Sequence, residues 1–208
     1  MLRTGAQRVA ARLYLREDHV WYALPLGSVQ LSRELPADLE LVRAKPDDAA
    51  LAVQHDRRPD EIARQVDEGH ELWIVRDDGR VAFSCRIYVG RAPAIAAPGG
   101  WFAVPRGWVC LEDSITSPDY RGRGVAPAAW EHIAAHAHTH GADTMVTKVA
   151  WENTPSRKAV SKAGFEEVGV MRLTRIGPRR DVRFSNVVGE TGKALAQAFG
   201  ARVVSSGR

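Results

Sequence analysis

One stretch constrains this chain more than any other: Glu112-Asp113-Ser114-Ile115-Thr116-Ser117-Pro118-Asp119-Tyr120-Arg121-Gly122-Arg123-Gly124-Val125-Ala126. It reads as a strand, a polar turn and a glycine-rich lead-in to a helix that begins near Val125. Glycines at 122 and 124 allow the backbone to bend until several N–H groups converge on one point. The first helical turn adds its own unpaired N–H groups and the positive end of its dipole. Arg121 and Arg123 bring two cations to the same place. Such a cradle suits a phosphate or pyrophosphate. The plainer reading of the same letters is an exposed basic turn that caps a helix.

Two commoner phosphate loops are excluded by the letters. A Walker loop requires Lys and then Ser or Thr after its last glycine, whereas Val125-Ala126 follow Gly124 here. A dinucleotide fingerprint requires a third glycine where Pro127 stands, with an acid roughly 20 residues on. The pattern that fits is Arg/Gln-x-x-Gly-x-Gly/Ala, met by Arg121, Gly124 and Ala126. It resembles the coenzyme A pyrophosphate loop of the GNAT superfamily of N-acetyltransferases. Downstream, the segment from Asn153 to Phe165 is similar to that family's last core helix, which starts at an Asn and ends in Lys-x-Gly-Phe, here Lys162, Gly164 and Phe165. The resemblance runs from about Gly107 to Phe165.

The resemblance implies an α/β GNAT-like fold: a central mixed β-sheet with splayed strands and helices on both faces. It also implies acetyl-CoA as cosubstrate. The strand Ser114-Ile115-Thr116 would offer backbone amides to the pantetheine arm, and Arg121, Gly122, Arg123, Gly124, Val125 and Ala126 would hold the pyrophosphate. Asn153 and Ser156 would flank the pantetheine and cap the helix, although Asn153 also reads as a plain turn residue. Arg157, Lys158 and Lys162 are open to two readings, a 3′-phosphate contact or a solvated basic face. The implied activity is acetyl transfer to a primary amine of a small molecule or peptide, by direct attack in a ternary complex.

An alkyl ammonium has a pKa of about 10, so a base or a desolvating pocket must help it shed a proton. The candidates are Glu112 and Asp113, at the end of the strand that leads to the loop. As strand neighbours they point to opposite faces unless a bulge intervenes; the alternative for each is a salt bridge to an Arg. Two positions depart from the family. Many members carry a proton-donating Tyr seven residues after the Asn, where this chain has Val160, and some carry a carboxylate where this chain has Lys148. These departures leave a second function open, a coenzyme A-binding sensor or scaffold without turnover.

Composition is that of an ordinary globular protein, with 45% hydrophobic and 26% charged residues among 208. No apolar run approaches the roughly 18 residues of a membrane helix, and the amino terminus carries no signal-like apolar block. The expectation is a cytoplasmic protein with no membrane partner. A net charge of +4 suits a polyanionic cofactor and, with no long basic run, gives no ground for nucleic-acid binding. Cys85 and Cys110 sit in apolar strands and read as buried thiols. His132, His136 and His140, with His138 beside them, have a metal-like spacing but lack a completing carboxylate other than Glu131. They read as a polar helix flank, and no metal is expected.

In chain order, residues 1–36 form an N-terminal extension: Val20 to Leu24 is a strand, Arg8 to Arg16 a strand or a short helix, and Trp21-Tyr22 a possible homodimer interface. Residues 37–190 form one domain with the order βααβββαβαββ, its first helix running from Pro46 to about Gln54 and its second opening at Pro59. Residues 191–208 supply a short helix and a frayed tail. The Gly-, Pro- and Ala-rich stretch 90–107, with Trp101 and Phe102 in its middle, is either a floppy connection or a loop over the acceptor site.

Overall fold

The run Val20-Trp21-Tyr22-Ala23-Leu24 belongs to β1 (Tyr14–Pro25), and every residue of it is buried. In the computed structural model, which describes residues 14–45 and 59–205, this strand lies in the interior of a nine-stranded sheet. The other strands are β2 (Glu40–Arg43), β3 (Glu71–Asp77), β4 (Arg80–Val89), β7 (Trp108–Thr116), β8 (Thr144–Ala150), β9 (Glu166–Ile176), β10 (Arg179–Ser185) and β11 (Arg202–Val203). Across the sheet the order is β11-β10-β9-β1-β8-β7-β4-β3-β2. The short strands β5 (Arg91–Pro93) and β6 (Trp101–Ala103) form a separate hairpin.

The strand of the N-terminal segment is thus an inner strand of the main sheet. β1 pairs antiparallel with β8 from His19↔Ala150 to Pro25↔Thr144, and with β9 from Tyr14↔Ile176 to Ala23↔Glu166. A strand with partners on both edges and cores on both faces must be apolar at successive positions, not alternate ones. That is why Trp21 and Tyr22, 0% and 2% exposed, are both buried, and why they supply no dimer surface. Of the Arg8–Arg16 segment only residues 14–16 are described, and they are strand. The helix expected from Pro46 to Gln54 lies outside the described residues.

Adjacent residues of each strand feed different cores. On one face, α2 (Val125–Thr139) and α3 (Thr154–Lys162) pack Trp130, Ile133 and Val160 against Tyr22, Phe83, Leu111 and Met145. On the other, α4 (Gly189–Ala198) and the β5–β6 hairpin pack Leu195, Phe199 and Phe102 against Trp21, Tyr88, Cys110 and Val146. α1 (Pro59–Asp67) sets Ile62 on Leu72, Ile74 and Val81 in a smaller cluster. Helices thus cover both faces of a mixed sheet. Segment 90–107 is not floppy: Phe102 is 2% exposed, 5.5 Å from the Trp21 ring and stacked 4.7 Å from Phe199. The tail extends the sheet through β11, which runs parallel to β10. Among the described residues no helix is long and apolar enough to cross a membrane.

β7 and β8 are the parallel pair joined by the α2 crossover. Their register runs Trp108↔Thr144, Val109↔Met145, Cys110↔Val146, Leu111↔Thr147 and then stops. β7 continues along β4 to Phe83↔Thr116, and β8 continues along β1 to Ala150. The two strands consequently part after Leu111 and Thr147, and the gap opens toward the N-terminus of α2.

Candidate active site

The gap is a cleft of about 890 Å³. Its outer end is built from backbone. Gly122 and Gly124 adopt φ +78° and +75°, conformations that an L-residue enters only with strain, and Gly124 is the residue that starts α2. Among the described residues, the amides of Gly122, Arg123, Gly124, Val125 and Ala126 donate to no backbone or side-chain acceptor, the first intrahelical bond being Ala128 N–H to Gly124 O. Pro127 follows at the third helical position and has no N–H. Gly122, Gly124, Val125 and Ala126 line the cleft, so residues with unpaired N–H groups and the positive end of the α2 dipole border one concavity.

The two loop arginines separate. Arg121 lines the cleft, its Nε donating to Thr116 O at 3.3 Å. Arg123 does not: its guanidinium is held by both Asp38 carboxylate oxygens at 2.8 and 2.9 Å and lies over the Tyr120 ring. The expectation of two side-chain cations in the cradle is corrected to one, because Asp38 holds the other. Asp38 ends a segment that is itself clasped to α2, where the buried Glu131 accepts from Ser32 N–H at 2.8 Å, Arg33 N–H at 2.9 Å and the Ser32 hydroxyl at 3.0 Å.

Ser114, Ile115 and Thr116 form one wall, with Ile115 40% exposed. α3 supplies the facing wall. Asn153 Oδ1 accepts from Ser156 N–H at 3.2 Å, which caps the helix, and both residues line the cleft. Lys158 and Lys162 line it too. Arg157 does not: it bonds Tyr22 Oη at 3.1 Å and Trp151 O at 3.2 Å and lies over the Trp151 ring. Val160 is 3% exposed and lines the cleft without any proton to give.

The inner end is built from side chains. Immediately past the last β7–β8 rung, Glu112 Oε1 and Lys148 Nζ are 2.6 Å apart, with side-chain exposures of 11% and 14%. Lys148 lies 5.5 Å over the Trp21 ring and approaches Pro93 O at 3.4 Å, so the β5–β6 segment does reach the site. Cys110 Sγ is 3.5 Å from Glu112 Oε1. Burial lifts the Glu112 carboxyl above its usual range, against the pull of Lys148. For Lys148, burial works against the ammonium, yet Glu112 holds its pKa above the ordinary lysine value. Burial pushes the Cys110 thiol well up, leaving it protonated, and neither Cys85 nor Cys110 is in a disulfide.

A bulge does intervene between the two acids. Arg86 pairs with Glu112 and Ser84 with Ile115, so Asp113 and Ser114 together oppose the single residue Cys85, and Asp113 takes φ +56°. Asp113, with its side chain 45% exposed, lies 3.7 Å from Arg86 Nη1, which is also 3.6 Å from Glu61 and 3.4 Å from Tyr88 Oη. The salt-bridge alternative to an Arg thus describes Asp113, whereas the partner of Glu112 is a lysine. Sequence reasoning treated Lys148 only as a departure from a pattern. The signal for more was present: a lysine between Val146 and Val149 in a buried strand requires a carboxylate.

The model of the acetyltransferase (GNAT) family matches residues 39–165, more than half of the chain. The chain belongs to the GNAT acetyltransferase family. Its architecture is similar to a GCN5-related N-acetyltransferase from Sphaerobacter thermophilus (TM-score 0.58, 15% identity, 86% of this chain and 56% of that one). It is similar also to a GCN5-related N-acetyltransferase from Kribbella flavida (0.55, 16%, 84% and 64%) and to a GNAT-family acetyltransferase from Colwellia psychrerythraea (0.56, 12%, 77% and 56%). At such identities the likeness is one of fold, and this GNAT chain spans 56–64% of the length of those three. No curated protein matches its sequence. The family's members are acyltransferases, and the family match includes the outer cleft, Glu112 and Lys148 but leaves out β1, β9, β10 and α4.

Proposed function

We propose that the protein is an acetyl-CoA-dependent N-acetyltransferase that acetylates a primary amine of a small molecule or peptide by direct attack. The observation that carries this reading is the run of undonated amides from Gly122 to Ala126, at the mouth of a cleft that leads between parted strands to a desolvated carboxylate. In this reading the amides and Arg121 hold the pyrophosphate, the pantetheine arm follows Ser114–Thr116 with Asn153 and Ser156 across from it, and the thioester comes to rest beside Glu112. A diphosphate is well matched by fixed N–H donors, which require no reorganisation when it arrives.

Glu112 is the preferred base of the two acids. A carboxyl whose proton affinity is raised by burial is closer to the pH of operation than an exposed one, which favours proton transfer from an ammonium. Asp113 is exposed and turned to Arg86. Thiolate departure finds no donor at Val160, and with a thiol pKa of about 8.5 it proceeds with a proton from water. The buried Val160 is the feature that favours the second reading, a cofactor-binding module with little turnover.

Two measurements test the proposal. Acetyl-CoA is expected to raise the melting temperature, with no effect of duplex DNA, and a panel of amines, polyamines, amino acids and aminoglycosides is expected to contain an acceptor that releases free thiol. Tight cofactor binding without thiol release across the panel would favour the sensor; no thermal shift would remove both.

A further inference from the structure

We infer that Lys148 is itself an acetyl acceptor, so that the protein carries a site of self-acetylation at the inner end of its cleft. The inference rests on the acetyl-CoA reading above and concerns what that cofactor would meet on arrival. Transfer to nitrogen needs a primary amine, a base within hydrogen-bond reach, exclusion of water and a bound thioester. Three of these are already assembled by the chain. Lys148 Nζ is the amine and Glu112 is the base at 2.6 Å. Both are nearly buried and line the same cleft as the amide cradle. They are the first residues past the point where β7 and β8 separate, so the arm that enters the gap ends against them. Trp21 below and Pro93 O beside it confine the amine to this end.

The other lysines in the cleft, Lys158 and Lys162, sit on α3 and have no carboxylate paired with them among the described residues. Proximity and the base therefore single out Lys148.

The step balances. Glu112 takes one proton from the Lys148 ammonium, and the freed Nζ lone pair adds to the thioester carbonyl carbon. The C–N bond forms, the C–S bond breaks as the tetrahedral intermediate collapses, and coenzyme A leaves as the thiolate, collecting the second proton that nitrogen sheds. The product is a neutral acetamide. It removes the cation opposite Glu112 and fills the space an external amine would occupy, so the modified protein is switched off for transfer while its phosphate cradle is intact.

The experiment is incubation of the purified full chain with acetyl-CoA and no acceptor, followed by intact-mass and peptide mass spectrometry, with the acetyl-CoA-induced thermal shift recorded on the same sample. The expected result is one acetyl group, on the peptide containing Lys148, at a rate that saturates with acetyl-CoA, is independent of protein concentration and falls when free coenzyme A is added. Glu112→Gln is expected to slow it on the order of 10²-fold, and Lys148→Arg, which keeps the cation, to abolish it with the thermal shift retained. A normal thermal shift with Lys148 unmodified, or modified no faster than Lys158 and Lys162, overturns the inference and leaves the cofactor reading standing. Absence of any thermal shift overturns both.

Discussion

The two ends of the cleft are made of different material. The outer end is backbone: five consecutive amides, two glycines at positive φ and a helix dipole, all within residues 121–126. The inner end is side chain: Trp21 from β1, Arg86 from β4, Pro93 from β5, Glu112 and Asp113 from β7, Lys148 from β8. A backbone site tolerates most substitutions of its neighbours but has no tolerance where a glycine conformation is needed. A site assembled from buried charges fails when any one partner is removed, because the remaining charge is left in a medium that does not solvate it. In the proposed function the difference separates binding, assigned to the local loop, from chemistry, assigned to side chains that the whole sheet must position.

The most damaging way to break the outer end is Gly124→Glu. No atom lies within 4 Å of a β-carbon built at Gly124, so crowding is not the cause of harm in the free protein. The left-handed conformation costs an L-residue about 1–2 kcal/mol, which lowers the melting temperature by roughly 2–8 °C. The larger effect is a carboxylate placed among the amide donors to which the proposed function assigns the pyrophosphate. Complete loss of the acetyl-CoA-induced thermal shift is expected in a protein that still unfolds cooperatively, and an unchanged affinity measured by titration would show that the cradle is not the binding element.

The corresponding break at the inner end is Lys148→Met, and here stability suffers most. Removing one partner of a nearly buried pair is expected to cost about 3–5 kcal/mol, or roughly 6–20 °C in melting temperature. The pH dependence follows from Glu112. Its carboxyl in the folded protein already lies above the usual range through burial, and Lys148 is the group that draws it down. Without Lys148 it rises further. A carboxyl with a raised folded pKa contributes stability that is present below its unfolded pKa and is lost as pH climbs through the folded value. The deficit of Lys148→Met relative to the parent should therefore be greatest near neutral pH and shrink as pH falls into the carboxylate range, which melting curves at a series of pH values would read directly. Replacing Glu112 with Leu in the same chain should recover most of the loss. A single variant as stable as the parent at pH 7 would mean that the pair is solvated and the contrast between the two ends is false.

The same division governs what can be read from the letters. The 112–126 stretch, the 153–165 segment and the helix and strand between them are local patterns, and the structure places their elements where periodicity and glycine placement put them. Residues at the inner end come from parts of the chain up to 127 positions apart (Trp21 to Lys148), and no local pattern announces such a meeting. β1 is legible as a strand, and five successive apolar residues state that both its faces are covered, but its edge partners β8 and β9 lie more than 100 residues away and leave no mark on its own letters. Arg123 is a second instance. Its charge is legible beside the phosphate loop, but Asp38, which holds it, belongs to a segment that Glu131 fastens across α2. Phe102 is a third, since an aromatic in a Gly- and Pro-rich stretch announces a role without saying that the role is to fill the space between Trp21 and Phe199.

The smallest expected effect lies where the two materials meet, at Asn153. Its Oδ1 is committed to the Ser156 amide, a capping duty that Ser also performs, and the residue lines the cleft with an Nδ2 donor that the cap does not use. Asn153→Ala should lose both, at a cost of about 1 kcal/mol in stability, or roughly 2–4 °C in melting temperature. Asn153→Ser should restore the melting temperature but not the donor, leaving acetyl-CoA affinity about fivefold weaker, the effect of one hydrogen bond near 1 kcal/mol. If Ser restored affinity as well as stability, Asn153 would be a cap alone, and the α3 wall would act through its backbone in the manner of the phosphate loop. If neither were restored, the amide would hold the cleft open in a way that a hydroxyl is too short to reproduce. Comparing the two substitutions in melting and in titration thus decides on which side of the division this residue falls, and whether the outer end is backbone throughout.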